Sequence, residues 1–289
     1  MRSLVSGERL ALGILIAGTV LTFFVRLFLT HSHLVIGDDT GTYLATWNFI
    51  RGEDFSGHGG ERPPLVGFFM YPFIEVFGVF TGAKVSALLA SVIGSFSFYL
   101  VARKITTPLP ASIGAIFFIW LPIYAETLGW GFLSILVIAT ALLSIWAWIR
   151  YTDNPSLDRA FSASAITAVM AYLNQTAMPV LALIVGLSLL VLIFRNPTLH
   201  LKYLVPSGIL LLVLSLGSLP YTMAHMSNLA VPTADGNPVN YYIQIKDPIT
   251  SLIAVVGCIG FAIAGRKIGG VSGMVIGVGG AITSITQAL

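Results

Sequence analysis

Three short stretches of this chain concentrate the side chains that can do chemistry. The first, Gly37 to Gly52 (GDDTGTYLATWNFIRG), opens on two adjacent carboxylates, Asp38 and Asp39, with Tyr43 close behind. A carboxylate held against a hydroxyl is a general base. At the start of a helix the same group caps free backbone amides instead, and both readings stand. The second stretch, Gly57 to Gly78, begins with His58 and a glycine-rich turn and passes into Glu61, Arg62, Pro63 and Pro64. The planar guanidinium of Arg62 matches a phosphate, or it anchors an interfacial segment to lipid headgroups. The third runs from Pro122 to Glu126. A carboxylate near membrane depth is costly unless it faces a cavity or a partner; the alternative is an exposed loop. Asn174 and Gln175, after a further apolar run, either line a cavity or form its turn.

Other features carry less. The five histidines show no metal-site spacing, and the single cysteine, Cys258, excludes an intrachain disulfide. The net charge of +3 comes from basic residues scattered in ones and twos at the ends of apolar runs, which is a topological pattern and not a nucleic-acid surface.

The elements that must position these groups are membrane helices. Only 9% of the 289 residues are charged, against roughly 25% in an average soluble domain. The mean hydropathy is +0.90. Too few polar groups remain to cover a water-soluble globule, and lipid admits only helices or closed barrels. The apolar runs do not alternate with period two, which excludes barrel strands. A crossing needs about 20 apolar residues. The expected crossings are 10–29, 84–102, 109–125, 129–149, 160–174, 177–194, 203–222, 249–265 and 268–288. The chain therefore reads as an all-α polytopic membrane protein of about nine transmembrane helices, one transmembrane domain over residues 1–289.

With the N-terminus in the cytoplasm, ten of the fifteen Lys and Arg residues fall on the inner face. The segment from Leu65 to Phe80 would reverse every later helix if it crossed. It is short and contains Pro72 and Glu75, so it is expected to lie in the outer interface as an amphipathic or re-entrant helix. Residues 30–83 then form the first extracytoplasmic loop, holding six of the twelve acidic residues. Two juxtamembrane helices are expected in it, one over Thr40 to Arg51 stopped by Gly52 and one opened by Pro63-Pro64. Residues 223–248 form a second polar outer loop. Gly269, Gly273 and Gly277 read as close helix packing. Trp146, Trp148 and Tyr151 read as an inner aromatic belt.

The order of these features resembles the GT-C superfamily of integral membrane glycosyltransferases, in the style of the protein O-mannosyltransferases and lipid A aminoarabinose transferases. The resemblance covers roughly residues 10–195. One membrane helix is followed by the acidic pair, Tyr43, an alanine-rich face and a glycine. Then come Arg62 before Pro63-Pro64-Leu65, an apolar stretch ending in Phe77-Gly78, a helix ending in Ala102-Arg103-Lys104, and the step from Pro122 to Glu126.

The resemblance implies an inverting enzyme on the extracytoplasmic face of the plasma membrane. Its donor is a sugar on dolichyl or undecaprenyl phosphate, and its acceptor a protein, lipid or glycan hydroxyl. It also implies a catalytic aspartate in the first outer loop. The spacing to Tyr43 selects Asp39, whereas the first place in an acidic pair selects Asp38; the preference is for Asp39, oriented by its neighbour. Arg62 would hold the donor phosphate. Glu126 and Glu61 would contact the acceptor or a divalent cation, Mg or Mn, used by some branches of the superfamily. Tyr43, His58, Asn174 and Gln175 would line the cavity. Members usually have more helices and often a soluble C-terminal domain, so a fragment or a minimal core is expected. A transporter and a non-catalytic lipid-binding subunit are the rival classes. No paired internal repeat supports a transporter.

Overall fold

A computed structural model describes residues 2–29, 65–120, 132–173, 186, 189–190, 192–194 and 196–220. Those residues form helices and no strand. We number them α1 (Arg2–Leu29), α2 (Leu65–Phe77), α3 (Val79–Ala102), α4 (Pro108–Ile119), α5 (Phe132–Asp153), α6 (Leu157–Leu173) and α7 (Pro197–Ser215), the last continued by a 3-10 turn at Leu216–Ser218.

Three helical stretches among the described residues are long and apolar enough to cross a membrane: Gly7–Phe28, Thr81–Ala102 and Pro197–Ser218. The chain is thus a helical membrane protein. α1, α3 and α7 outrun the expected crossings at their N-terminal ends, whereas α4 closes at Ile119, short of the expected 125. α1 begins at Arg2, not residue 10, and α3 at Val79, not residue 84. Hydropathy marks only the part of a helix that lipid must cover, whereas the backbone ladder continues into polar residues such as Glu8 and Arg9. α7 also starts early, at Pro197, because Asn196 caps it by accepting from the Leu199 amide and Pro197 supplies a first-turn residue with no amide to satisfy.

The chain divides into two compact units, one of Met1–Trp146 with Ile166–Gln175, the other of Ala147–Ala165 with Thr176–Leu289. In the first unit, polar contacts set the directions of the helices. Arg103 bonds Glu8 at 2.7 Å, Thr19 meets Ser95 at 3.4 Å, and Lys84 donates to the Leu27 carbonyl at 2.6 Å. These rungs make α1 and α3 antiparallel. Ser112 donates to the Ala11 carbonyl at 2.7 Å and Trp120 to Thr22 at 3.0 Å, so α4 runs parallel to α1. The hydroxyls cross between helices because lipid offers them no other partner.

The antiparallel pairing also places α2. α1 finishes and α3 starts at the same end of the unit, so the chain between them leaves and returns on one side. α2 is 13 residues long and carries Pro72. At that length it falls short of a crossing helix, and its inner face is packed into the unit. Val66, Met70 and Ile74 are buried in a cluster with Ala87 and Ala90 of α3, Leu136 of α5 and Leu173 of α6. Gly78, with φ 78°, makes the hinge into α3. An L side chain is rarely found at that angle.

In the second unit, Trp148 and Tyr151 depart from the expected aromatic belt. Both are buried, and Tyr151 bonds His200 Nδ1 at 3.0 Å. Trp148 meets Tyr151 edge-on, ring centres 5.9 Å apart, and Tyr151 in turn meets His200 of α7; neither contact can be told from the residue types alone.

Candidate functional site

The candidate residues Asp38, Asp39, Tyr43, His58, Glu61, Arg62, Glu126, Asn174 and Gln175 lie outside the described residues, in segments 30–64, 121–131 and 174–185. So does the helix expected over Thr40 to Arg51. What the structure does describe is the floor from which those segments leave.

That floor is one end of the first unit. Segment 30–64 comes after the last turn of α1 and leads into α2. Segment 121–131 comes after Trp120 at the end of α4 and leads into α5. Segment 174–185 comes after Leu173 of α6. Three contacts tie these roots together: Lys84 to Leu27, Trp120 to Thr22, and the apolar cluster that joins Val66 and Met70 to Leu136 and Leu173. The opposite end is marked by the Glu8–Arg103 pair. All three candidate-bearing segments are therefore rooted at a single end.

The floor has its own chemistry. Arg26, in the last turn of α1, is buried, and its guanidinium carbon lies 5.1 Å from the centre of the Trp120 ring. A cation over an indole face is stabilised by about 0.5–2 kcal/mol, more as water is removed. The negative end of the α1 dipole adds to this. The same indole donates its N–H to Thr22 Oγ1, and Thr22 in turn donates to the Gly18 carbonyl at 2.7 Å. Lys84 supplies a second cation on α3, its ammonium donating to the Leu27 carbonyl in the last turn of α1.

Sequence reasoning passed over Thr22, Arg26 and Trp120, reading Arg26 as one outer charge among five. A signal was present. Arg26 falls inside an apolar run, where an ionisable residue almost always faces the protein interior, and Thr22 sits one turn before it on the same face.

Among the described residues no three His, Cys, Asp or Glu side chains come together to hold a metal ion. The sequence matches no family model and no characterised protein.

Proposed function

We propose that this chain is the transmembrane core of an inverting glycosyltransferase. It would move a sugar from a polyprenyl-phosphate donor to a protein, lipid or glycan hydroxyl on the extracytoplasmic face of the plasma membrane, the N-terminus lying in the cytoplasm. The observation that supports the reading best is the common root of segments 30–64, 121–131 and 174–185 at one end of the bundle. A reaction between a lipid-embedded donor and a water-borne acceptor needs its groups gathered at one membrane face. Candidates scattered over both ends would have ruled it out. The orientation rests on the excess of Lys and Arg assigned to the other face, and the full set of about nine crossings on hydropathy.

The chemistry derives from the residue types. Asp39, oriented by Asp38, takes the proton of the acceptor hydroxyl as its oxygen attacks the anomeric carbon. The bond from that carbon to the phosphate oxygen breaks on the opposite side, inverting the centre. Polyprenyl phosphate leaves as an anion, so no second carboxylic acid is required, unlike glycoside hydrolysis. Arg62 receives the phosphate through paired N–H donors. Glu126 and Glu61 face the acceptor or a divalent cation, and Tyr43, His58, Asn174 and Gln175 line the cavity.

The test is release of polyprenyl phosphate by purified protein from a panel of polyprenyl-phosphate sugars, with and without Mg or Mn. Wild type is expected to turn over at least one donor. Asp39→Asn is expected to lose turnover while keeping its helical fold and donor binding. Binding of no donor at all would sink the proposal. Undiminished function in both Asp38→Asn and Asp39→Asn would favour a transporter or a lipid-binding subunit.

A further inference from the structure

The grip of α1 on Trp120 is over-determined for a purely structural contact. Trp120 is 47% exposed, so burial alone does not orient it. Its edge is fixed by the bond from Nε1 to Thr22 Oγ1 at 3.0 Å, and its face by the Arg26 guanidinium at 5.1 Å. Thr22 and Arg26 lie four residues apart, on one face of α1, and both are buried. An aliphatic pair at the same positions could pack α4 against α1, but it would not set the rotation of the indole.

That rotation matters because Trp120 stands at the exit of α4. Trp120 is the last residue of the α4 cap, its amide bonded back to the Phe117 and Phe118 carbonyls. The next residue begins segment 121–131. Arg26 itself lies in the last turn before segment 30–64. The same turn of α1 thus launches one candidate-bearing segment and clamps the launch of another.

We propose that Thr22 and Arg26 are positioning residues. They hold Trp120 by edge and face, and so fix where segment 121–131 leaves the bundle relative to segment 30–64. The kinetic consequence rests on the glycosyl-transfer reading; the geometric one does not. No contact of Thr22 or Arg26 with substrate is required.

The experiment uses the full chain in a Cys258→Ala background, spin-labelled at Leu29→Cys and Leu121→Cys, with the distance between labels read by dipolar EPR. Each clamp variant is also assayed for turnover of a polyprenyl-phosphate sugar without labels. Wild type, Thr22→Ser and Arg26→Lys are expected to give one narrow distribution. Thr22→Val, nearly isosteric and without the hydroxyl, and Arg26→Gln are expected to broaden it clearly. Their kcat is expected to fall about 10- to 100-fold with KM little changed, as for misplaced reacting groups, and Thr22→Ser is expected to retain it. An unchanged distribution in Thr22→Val and Arg26→Gln overturns the proposal. So does a broadened distribution with unchanged kcat, because the clamp would then position nothing the reaction uses. If the wild type turns over no donor, glycosyl transfer fails by itself, and the label distances alone decide the clamp.

Discussion

Gly82 of α3 lies against the backbone of Ile74 in α2, so that a Cβ on Gly82 would stand 2.5 Å from the Ile74 Cα and 2.5 Å from the Phe73 carbonyl oxygen. Backbone cannot move aside as a side-chain tip can. Gly82→Ala should therefore push α2 off α3 and cost about 1–3 kcal/mol, the range for overpacking. Gly18→Ala is the comparison, since it meets side-chain atoms of Ile116 and no backbone. Thermal melts in detergent should show a clear loss for Gly82→Ala and a markedly smaller one for Gly18→Ala. Equal losses would contradict the close α2–α3 contact.

Ser112 joins α4 to α1 by a hydroxyl that lies near two carbonyls, Ala11 at 2.7 Å and Pro108 at 3.0 Å. Ser112→Ala removes the donor but strands no buried amide, so its cost should stay near the net worth of a hydrogen bond, about 0.5–1.5 kcal/mol. Ser112→Val should cost more, because Ser112 is fully buried and the added methyl groups have nowhere to go. A melt in which Val is the milder change would show that α1 and α4 pack loosely at this level.

The Glu8–Arg103 pair is short, 2.7 Å, yet both side chains are partly solvated, at 60% and 30% exposure. Geometry argues for strength and solvent against it, and solvent wins for pairs of this kind. Glu8→Gln should lower stability by less than about 1 kcal/mol, with the difference shrinking in high salt. The pair records the antiparallel arrangement of α1 and α3 more than it enforces it. A large, salt-insensitive loss would show that water does not reach this end.

Tyr151 provides a pH signature for the second unit. Burial, with the neighbouring Tyr203 second, pushes its hydroxyl up from 10.0 to about 12. A pKa raised on folding means that the folded state holds the proton more tightly. The stabilisation is thus fully present below pH 10 and is lost as pH rises toward 12. The melting temperature of wild type should fall through that window. Tyr151→Phe should start lower, since it removes the bond to His200, and should fall less steeply. Parallel curves would show that Tyr151 is not the group responsible.

How legible each feature is in the residues depends on the range of the interaction behind it. The apolar runs behind α1, α3 and α7, and Pro63-Pro64 before α2, are local, and each marked a helix that the structure describes, whereas Gly78, which ends α2, lay inside the expected segment from Leu65 to Phe80. The shortness of α2, with Pro72 inside it, was likewise legible in the residues themselves. The bond from Trp120 to Thr22 joins residues 98 apart in sequence, and Tyr151 to His200 spans 49. Neither residue announces its partner, because Thr, Trp and Tyr at helix ends serve equally well at a lipid interface. The burial of Trp148 and Tyr151 was misread for that reason. The acidic pair, Arg62 and Glu126 lie outside the described residues, and the structure contributes the shared end from which their segments leave.

The central claim is that these segments face one side of the membrane, opposite the end held by Glu8 and Arg103. Single cysteines at Ser56, Thr127, Gln175 and Thr106, placed one at a time in a Cys258→Ala background, test it with a membrane-impermeant maleimide on sealed, sided vesicles. Ser56→Cys, Thr127→Cys and Gln175→Cys are expected to label from the extracytoplasmic side, and Thr106→Cys only from the cytoplasmic side. Labelling of Thr127→Cys or Gln175→Cys from the side opposite to Ser56→Cys would contradict the claim, because the candidate residues could not then meet in one site.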